Sequence, residues 1–131
     1  VEYACQVLAQ LGYSHGNQTM PHIEDLAQAE EIPSNYLVQI LNELRNGGLI
    51  ISRRGKQGGY ALAKPPKEIS LYDIVNAVDG ELLSFSAEGR GESAARTAAV
   101  WRAIAEQLRK HTQQYTVEDL MNPTSEEMWY I

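Results

Sequence analysis

A chain of 131 residues is long enough to bury a core without covalent staples, and its single cysteine, Cys5, excludes an intramolecular disulfide. No apolar run approaches the roughly twenty residues of a membrane-spanning helix, so a cytoplasmic protein with no membrane partner is expected. The net charge of -6 speaks against a uniformly basic surface, yet the charge is sorted along the chain. Residues 1–31 contain no Lys or Arg, whereas 32–67 hold Arg45, Arg53, Arg54, Lys56, Lys64 and Lys67 against one acid, Glu43. That pattern reads as a basic head on an acidic body, with an ordinary mixed-charge surface as the alternative.

Taken in chain order, Ala4, Val7, Leu8 and Leu11 recur at the helical period and predict a first helix ending before Ser14-His15-Gly16-Asn17. A shorter second helix is predicted to open with Pro21 at its first position and to bury Ile23, Leu26 and Ala27. The third restarts at Pro33, buries Leu37, Ile40, Leu41 and Leu44, and stops at Asn46-Gly47-Gly48, which supply a left-handed cap. Two short helices with this spacing fit a helix-turn-helix, although many helical hairpins share the pattern.

The segment after the third helix sharpens the reading. Leu49-Ile50-Ile51 and Tyr60-Ala61-Leu62 form two short strands joined by Ser52-Arg53-Arg54-Gly55-Lys56-Gln57-Gly58-Gly59, a hairpin with a basic, glycine-rich tip. Directly after a recognition helix, such a hairpin is a wing whose backbone and cations can approach phosphates or a narrow minor groove. A nucleotide-binding loop does not fit, because Lys56 is followed by Gln57 and a strand instead of by Ser or Thr and a helix.

Lys64-Pro65-Pro66-Lys67 reads as a rigid connector, and Ser70 with Asp73 as the capping box of a fourth helix, stapled by Ile69 and Ile74 and closed by Gly80. Residues 81–92 lack periodicity and read as a flexible loop. From Ser93 to about Gln114 a long helix carries the stripe Val100, Trp101, Ile104 and Leu108, and Thr116 with Asp119 caps a short last helix. A second copy of the chain is the simplest cover for that stripe, and packing back on the first helix is the alternative. The expected organisation is a mainly α fold with a small β-hairpin: a winged helix-turn-helix domain over 1–80, the loop over 81–92, and a helical dimerisation region over 93–131.

On the third helix the apolar stripe points inward, leaving Ser34, Asn35, Val38, Gln39 and Asn42 free to read DNA, with Pro33 and Tyr36 beside them. Asn and Gln suit bidentate contacts to adenine, and Val38 suits a thymine methyl. Ser34 serves equally as a phosphate contact or a helix cap. Arg53, Arg54, Gly55, Lys56, Gln57 and Gly58 form the candidate wing contacts, Arg54 first among them. Tyr36 and Tyr60 read mainly as packing residues, and Cys5 as a structural thiol. His15, His22 and His111 show no metal spacing, and no nucleophile-base constellation marks an enzyme.

The runs from Ile32 to Leu41, Leu44 to Ile50 and Ser52 to Ala63 closely resemble the Rrf2 family of bacterial winged-helix regulators, and Ile69-Ser70-Leu71, Asp73-Ile74-Val75 and Val78-Asp79-Gly80 continue the likeness. Trp101 and the segment from Thr116 to Leu120 are similar to the family's dimerisation region, so nearly the whole chain is covered. The resemblance implies a homodimeric repressor or activator on a palindromic DNA operator, with Arg54 at the wing position of a DNA-contacting arginine. It also implies that a short N-terminal segment precedes Tyr3 in the full protein. In the family's iron-sulfur branch three loop cysteines bind a cluster; the last would fall near Ala95, the middle one near Gly89, and a histidine ligand at Ala98. None of these is a ligand, so a branch without cofactor or metal is expected, with replaced or missing ligands as the alternative. A winged module that docks a protein co-regulator is the remaining reading.

Overall fold

The computed structural model describes residues 1–17, 19–80 and 90–121. Helix α1 spans Glu2–Tyr13 and buries Ala4, Val7, Leu8 and Leu11, as its period requires. Helix α2 spans Ile23–Glu30. Its start departs from the expected one: His22 is the extended N-cap, with its N–H donating to Asp25 Oδ2 at 2.9 Å, and Pro21 lies outside the helix. The reason is a partner distant in sequence. The Pro21 carbonyl accepts the Tyr60 N–H at 2.9 Å, which holds this peptide beside the hairpin instead of in a helical turn.

Helix α3, Ser34–Asn46, has Pro33 as its N-cap and buries Leu37, Leu41 and Leu44 completely or nearly so. Of the three expected stop residues only Gly48 is left-handed, at φ 78°; Asn46 is still helical and Gly47 has φ -80°. The Gly48 N–H donates to Arg45 and the Leu49 N–H to Leu44, both at 3.0 Å, the paired bonds of a Schellman turn. Buried Leu44 and Leu49 complete it with their apolar contact positions.

Strands β1 (Ile50–Arg53) and β2 (Gly59–Leu62) pair antiparallel, with Ile50 opposite Leu62 and Arg53 opposite Gly59. Ile50 is buried, whereas Ile51, pointing to the other face, is exposed. The proline-rich connector folds into a short 3-10 turn over Pro66–Glu68. Helix α4, Leu71–Val78, opens with the expected reciprocal cap: Asp73 N–H to Ser70 Oγ at 3.1 Å and Ser70 N–H to Asp73 Oδ2 at 3.0 Å. Gly80 takes the left-handed position beyond its end at φ 77°.

The expected loop falls largely on residues 81–89, which lie outside the described residues. Helix α5 runs over Ala94–Gln113 and α6 over Val117–Met121. The Thr116 N–H donates to Asp119 Oδ2 at 2.8 Å, the anticipated cap. The last helix returns to the start of α4: Leu71 N–H bonds to the Tyr115 carbonyl and Val117 N–H to the Ile69 carbonyl, each at 2.9 Å. Val117 is fully buried in the same apolar cluster as Leu8, Leu11, Leu37 and Ile74, so α1, α3, α4 and α6 share one core.

Candidate nucleic-acid interface

Because Leu37, Leu41 and Leu44 turn inward, the opposite face of α3 stands free, and Pro33, Ser34, Asn35, Tyr36, Val38, Gln39 and Asn42 are all exposed. Ser34 is the first helical residue, not the cap, so its hydroxyl is not used to close the helix end. Tyr36 lies 6.3 Å, ring centre to ring centre, from Tyr3 on α1, and both rings keep a large exposed surface.

Two polar pairs order this face. Gln39 Nε2 donates to Glu43 Oε1 at 3.1 Å. Arg45 Nη2 donates to Asn42 Oδ1 at 3.1 Å, and Arg45 Nη1 to Ser52 Oγ on β1 at 3.3 Å. Arg45 therefore braces the recognition helix against the wing. Sequence reasoning counted its charge but did not assign it to the site; its place three residues after Asn42, on the same helix face, was the available signal.

Arg53, Arg54, Gly55, Lys56 and Gln57 are exposed along the hairpin, and Gly58 N–H to Gly55 carbonyl, 3.0 Å, closes the tip. Gly58 is buried beneath it, where a Cβ would overlap the Arg53 carbonyl. Lys56 and Gln57 line a groove together with His22 and Asp25. Among the described residues the side-chain ion pair is Arg109 with Glu106 on α5. Among the described residues Arg45, Arg53, Arg54 and Lys56 form no ion pair, and all four are exposed.

The α5 stripe does not fold back on α1. Val100, Trp101, Ile104 and Leu108 are 59%, 46%, 39% and 37% exposed, and α1 packs against α6 instead. Cys5 is half-buried against the core, and desolvation pushes its thiol above the ordinary range.

A helical core with an adjoining basic hairpin, arranged so that one helix face and the hairpin tip are free, defines a winged helix-turn-helix regulator. The chain belongs to the Rrf2 family: the family model described as an iron-dependent transcriptional regulator matches residues 1–123. It is similar to the HTH-type transcriptional regulator CymR of Bacillus subtilis, with 30% identity over 98% of this chain and 94% of that one. It is 31% identical to IscR of Klebsiella pneumoniae over 88% of this chain and 74% of the relative. The solved structure of B. subtilis CymR, described as the global cysteine regulator, superposes with a TM-score of 0.74 at 29% identity, covering 92% and 91% of the two chains. An IscR structure from T. potens gives 0.73 at 28% identity over 96% and 85%. The protein is accordingly a transcriptional regulator and not an enzyme, and no helix among the described residues is long and apolar enough to cross a membrane.

The family description raises iron, and the donor set here does not fit a thiolate-held cluster. The chain has one cysteine, on α1 and packed against the core. Ala95 and Ala98 offer no ligand atom, Ala98 is buried, and Gly89 lies outside the described residues. The described residues contain no group of three His, Cys, Asp or Glu side chains suited to a metal ion.

Proposed function

We propose that this protein is a cytoplasmic, homodimeric repressor or activator that reads a palindromic operator without a bound iron-sulfur cluster. The observation that carries the reading is the side-by-side exposure of the polar α3 face and the wing cations, joined through Arg45. In this reading residues 1–80, with α6 closing their core, form the DNA-binding unit, and within 93–131 helix α5 is the assembly element. Ser34, Asn35, Val38, Gln39 and Asn42 face the major groove, with Pro33 and Tyr36 at the helix entry. Arg53, Arg54, Gly55, Lys56, Gln57 and Gly58 bring the wing to the backbone or minor groove. The exposed α5 stripe supports a two-fold partner: a symmetric pair of chains would cover Val100, Trp101, Ile104 and Leu108 and space two reading helices for two half-sites.

The test is binding of full-length protein to duplexes selected from genomic fragments, measured at several salt concentrations. A steep loss of affinity with salt, at two protomers per palindromic site, is expected, because each neutralised phosphate releases counterions. Binding that ignores salt and sequence would favour the protein-docking module in its place.

A further inference from the structure

We propose that Glu43 and Arg45 fix the two reading amides of α3 in opposite senses, so that Gln39 presents its carbonyl to an amino base and Asn42 presents its NH2 group to a keto base. The inference rests on the DNA-reading function proposed above and adds to it a rule for sequence preference.

The orientation follows from what each partner can do. An ionised carboxylate only accepts hydrogen bonds, so Glu43 Oε1, at 3.1 Å, holds the nitrogen end of the Gln39 amide along the helix. A guanidinium only donates, so Arg45 Nη2, also at 3.1 Å, holds the oxygen end of the Asn42 amide. Arg45 is itself fixed at its other nitrogen by Ser52 Oγ, which makes the wing strand part of the clamp. Gln39 Oε1 and Asn42 Nδ2 have no partner among the described residues, and both side chains are exposed.

In the major groove, adenine and cytosine present an exocyclic amine, whereas guanine and thymine present a carbonyl oxygen at the corresponding edge. A held carbonyl at Gln39 is therefore complementary to adenine or cytosine on the strand it faces. A held NH2 at Asn42 is complementary to guanine or thymine. Reversing either amide would set carboxylate against carbonyl, or guanidinium against NH2, and forfeit the intrahelical bond. This separates two residues that by type alone both suit adenine. Glu43 and Arg45 are positioning residues here: they act on base choice through their neighbours.

The experiment is selection from a randomised duplex library with full-length wild type, Gln39→Ala, Asn42→Ala, Glu43→Ala, Glu43→Gln, Arg45→Ala and Arg45→Lys. The position read by each amide is the one whose preference collapses in its alanine variant. At the Gln39 position amino bases should exceed keto bases by about tenfold, and at the Asn42 position the reverse, as expected for one hydrogen bond gained or an acceptor left facing an acceptor. Glu43→Ala should reduce the first preference to about twofold and leave the second, whereas Arg45→Ala should do the converse, since an unheld amide can rotate to suit either base. Arg45→Lys keeps a group that only donates, so it should restore the Asn42 preference where a generally weakened helix would not, whereas Glu43→Gln, whose amide can accept or donate, should lose the Gln39 preference as Glu43→Ala does. Keto bases under Gln39, amino bases under Asn42, or profiles unmoved by both alanine variants at 43 and 45 would overturn the proposal while leaving DNA reading intact. Failure of any sequence to enrich with wild type would overturn both.

Discussion

The Tyr60 N–H donates to the carbonyl of Pro21 across 2.9 Å, and this bond ties the second wing strand to the link between α1 and α2. The next residue toward the tip, Gly59, has φ 134°, and a Cβ there would run into the Pro21 and Met20 carbonyls. The wing is thereby seated on the helical core.

Gly59→Ala combines a disfavoured backbone angle with a backbone clash and should destabilise the fold by roughly 2 kcal/mol or more. Gly55→Ala, at φ 99° but with open space around it, should cost only about 1–2 kcal/mol. Urea unfolding of the two variants beside wild type tests the difference. Equal costs would mean that the seat at Pro21 contributes nothing.

On the recognition helix, Gln39→Ala should weaken operator binding by roughly 1–3 kcal/mol and leave binding to random DNA nearly unchanged, because it removes a base-edge contact and no phosphate contact. Titrations against both duplexes decide it. Parallel losses would show that Gln39 reads no base.

The wing tip is expected to act through charge. Arg54→Ala with Lys56→Ala should lower affinity and reduce the magnitude of the salt slope by as much as about two units if both side chains meet phosphates. Thermal melts should move little, since neither residue forms an ion pair among the described residues and both are exposed. Asp25 lines the same groove as Lys56 without forming an ion pair to it. An unchanged slope with folded protein would remove the wing from the DNA interface.

For assembly, Trp101→Asp places a charge in the middle of the exposed α5 stripe and should convert a dimer to monomers in sedimentation. The same substitution should leave secondary structure intact, because Trp101 is 46% exposed within one chain. A dimer of undiminished strength would move the interface elsewhere.

The parts legible in the sequence are those whose causes are local. Ser70 and Asp73 cap each other three residues apart, Gly48 and Gly80 take left-handed positions at helix ends, and the inward leucines of α3 leave its reading face by elimination. What eluded the sequence was set across distance. Pro21 stays out of α2 because Tyr60, thirty-nine positions later, claims its carbonyl, and Arg45 finds Ser52 only once the wing folds back. Val117 likewise enters the core beside a single bond to Ile69 that no periodicity in the last helix announces.

That closure by α6 limits how the gene can be cut. A protein ending before α5 would lose Val117 from the interior, and with it the carbonyl of Tyr115 that satisfies Leu71 and the N–H that satisfies Ile69. A shortened reading head would then start α4 with frayed ends and an open apolar seam along α1. Chimeras that exchange assembly arms between relatives should therefore carry the α6 strip with the head, joined by a new linker, if the head is to keep its own fold.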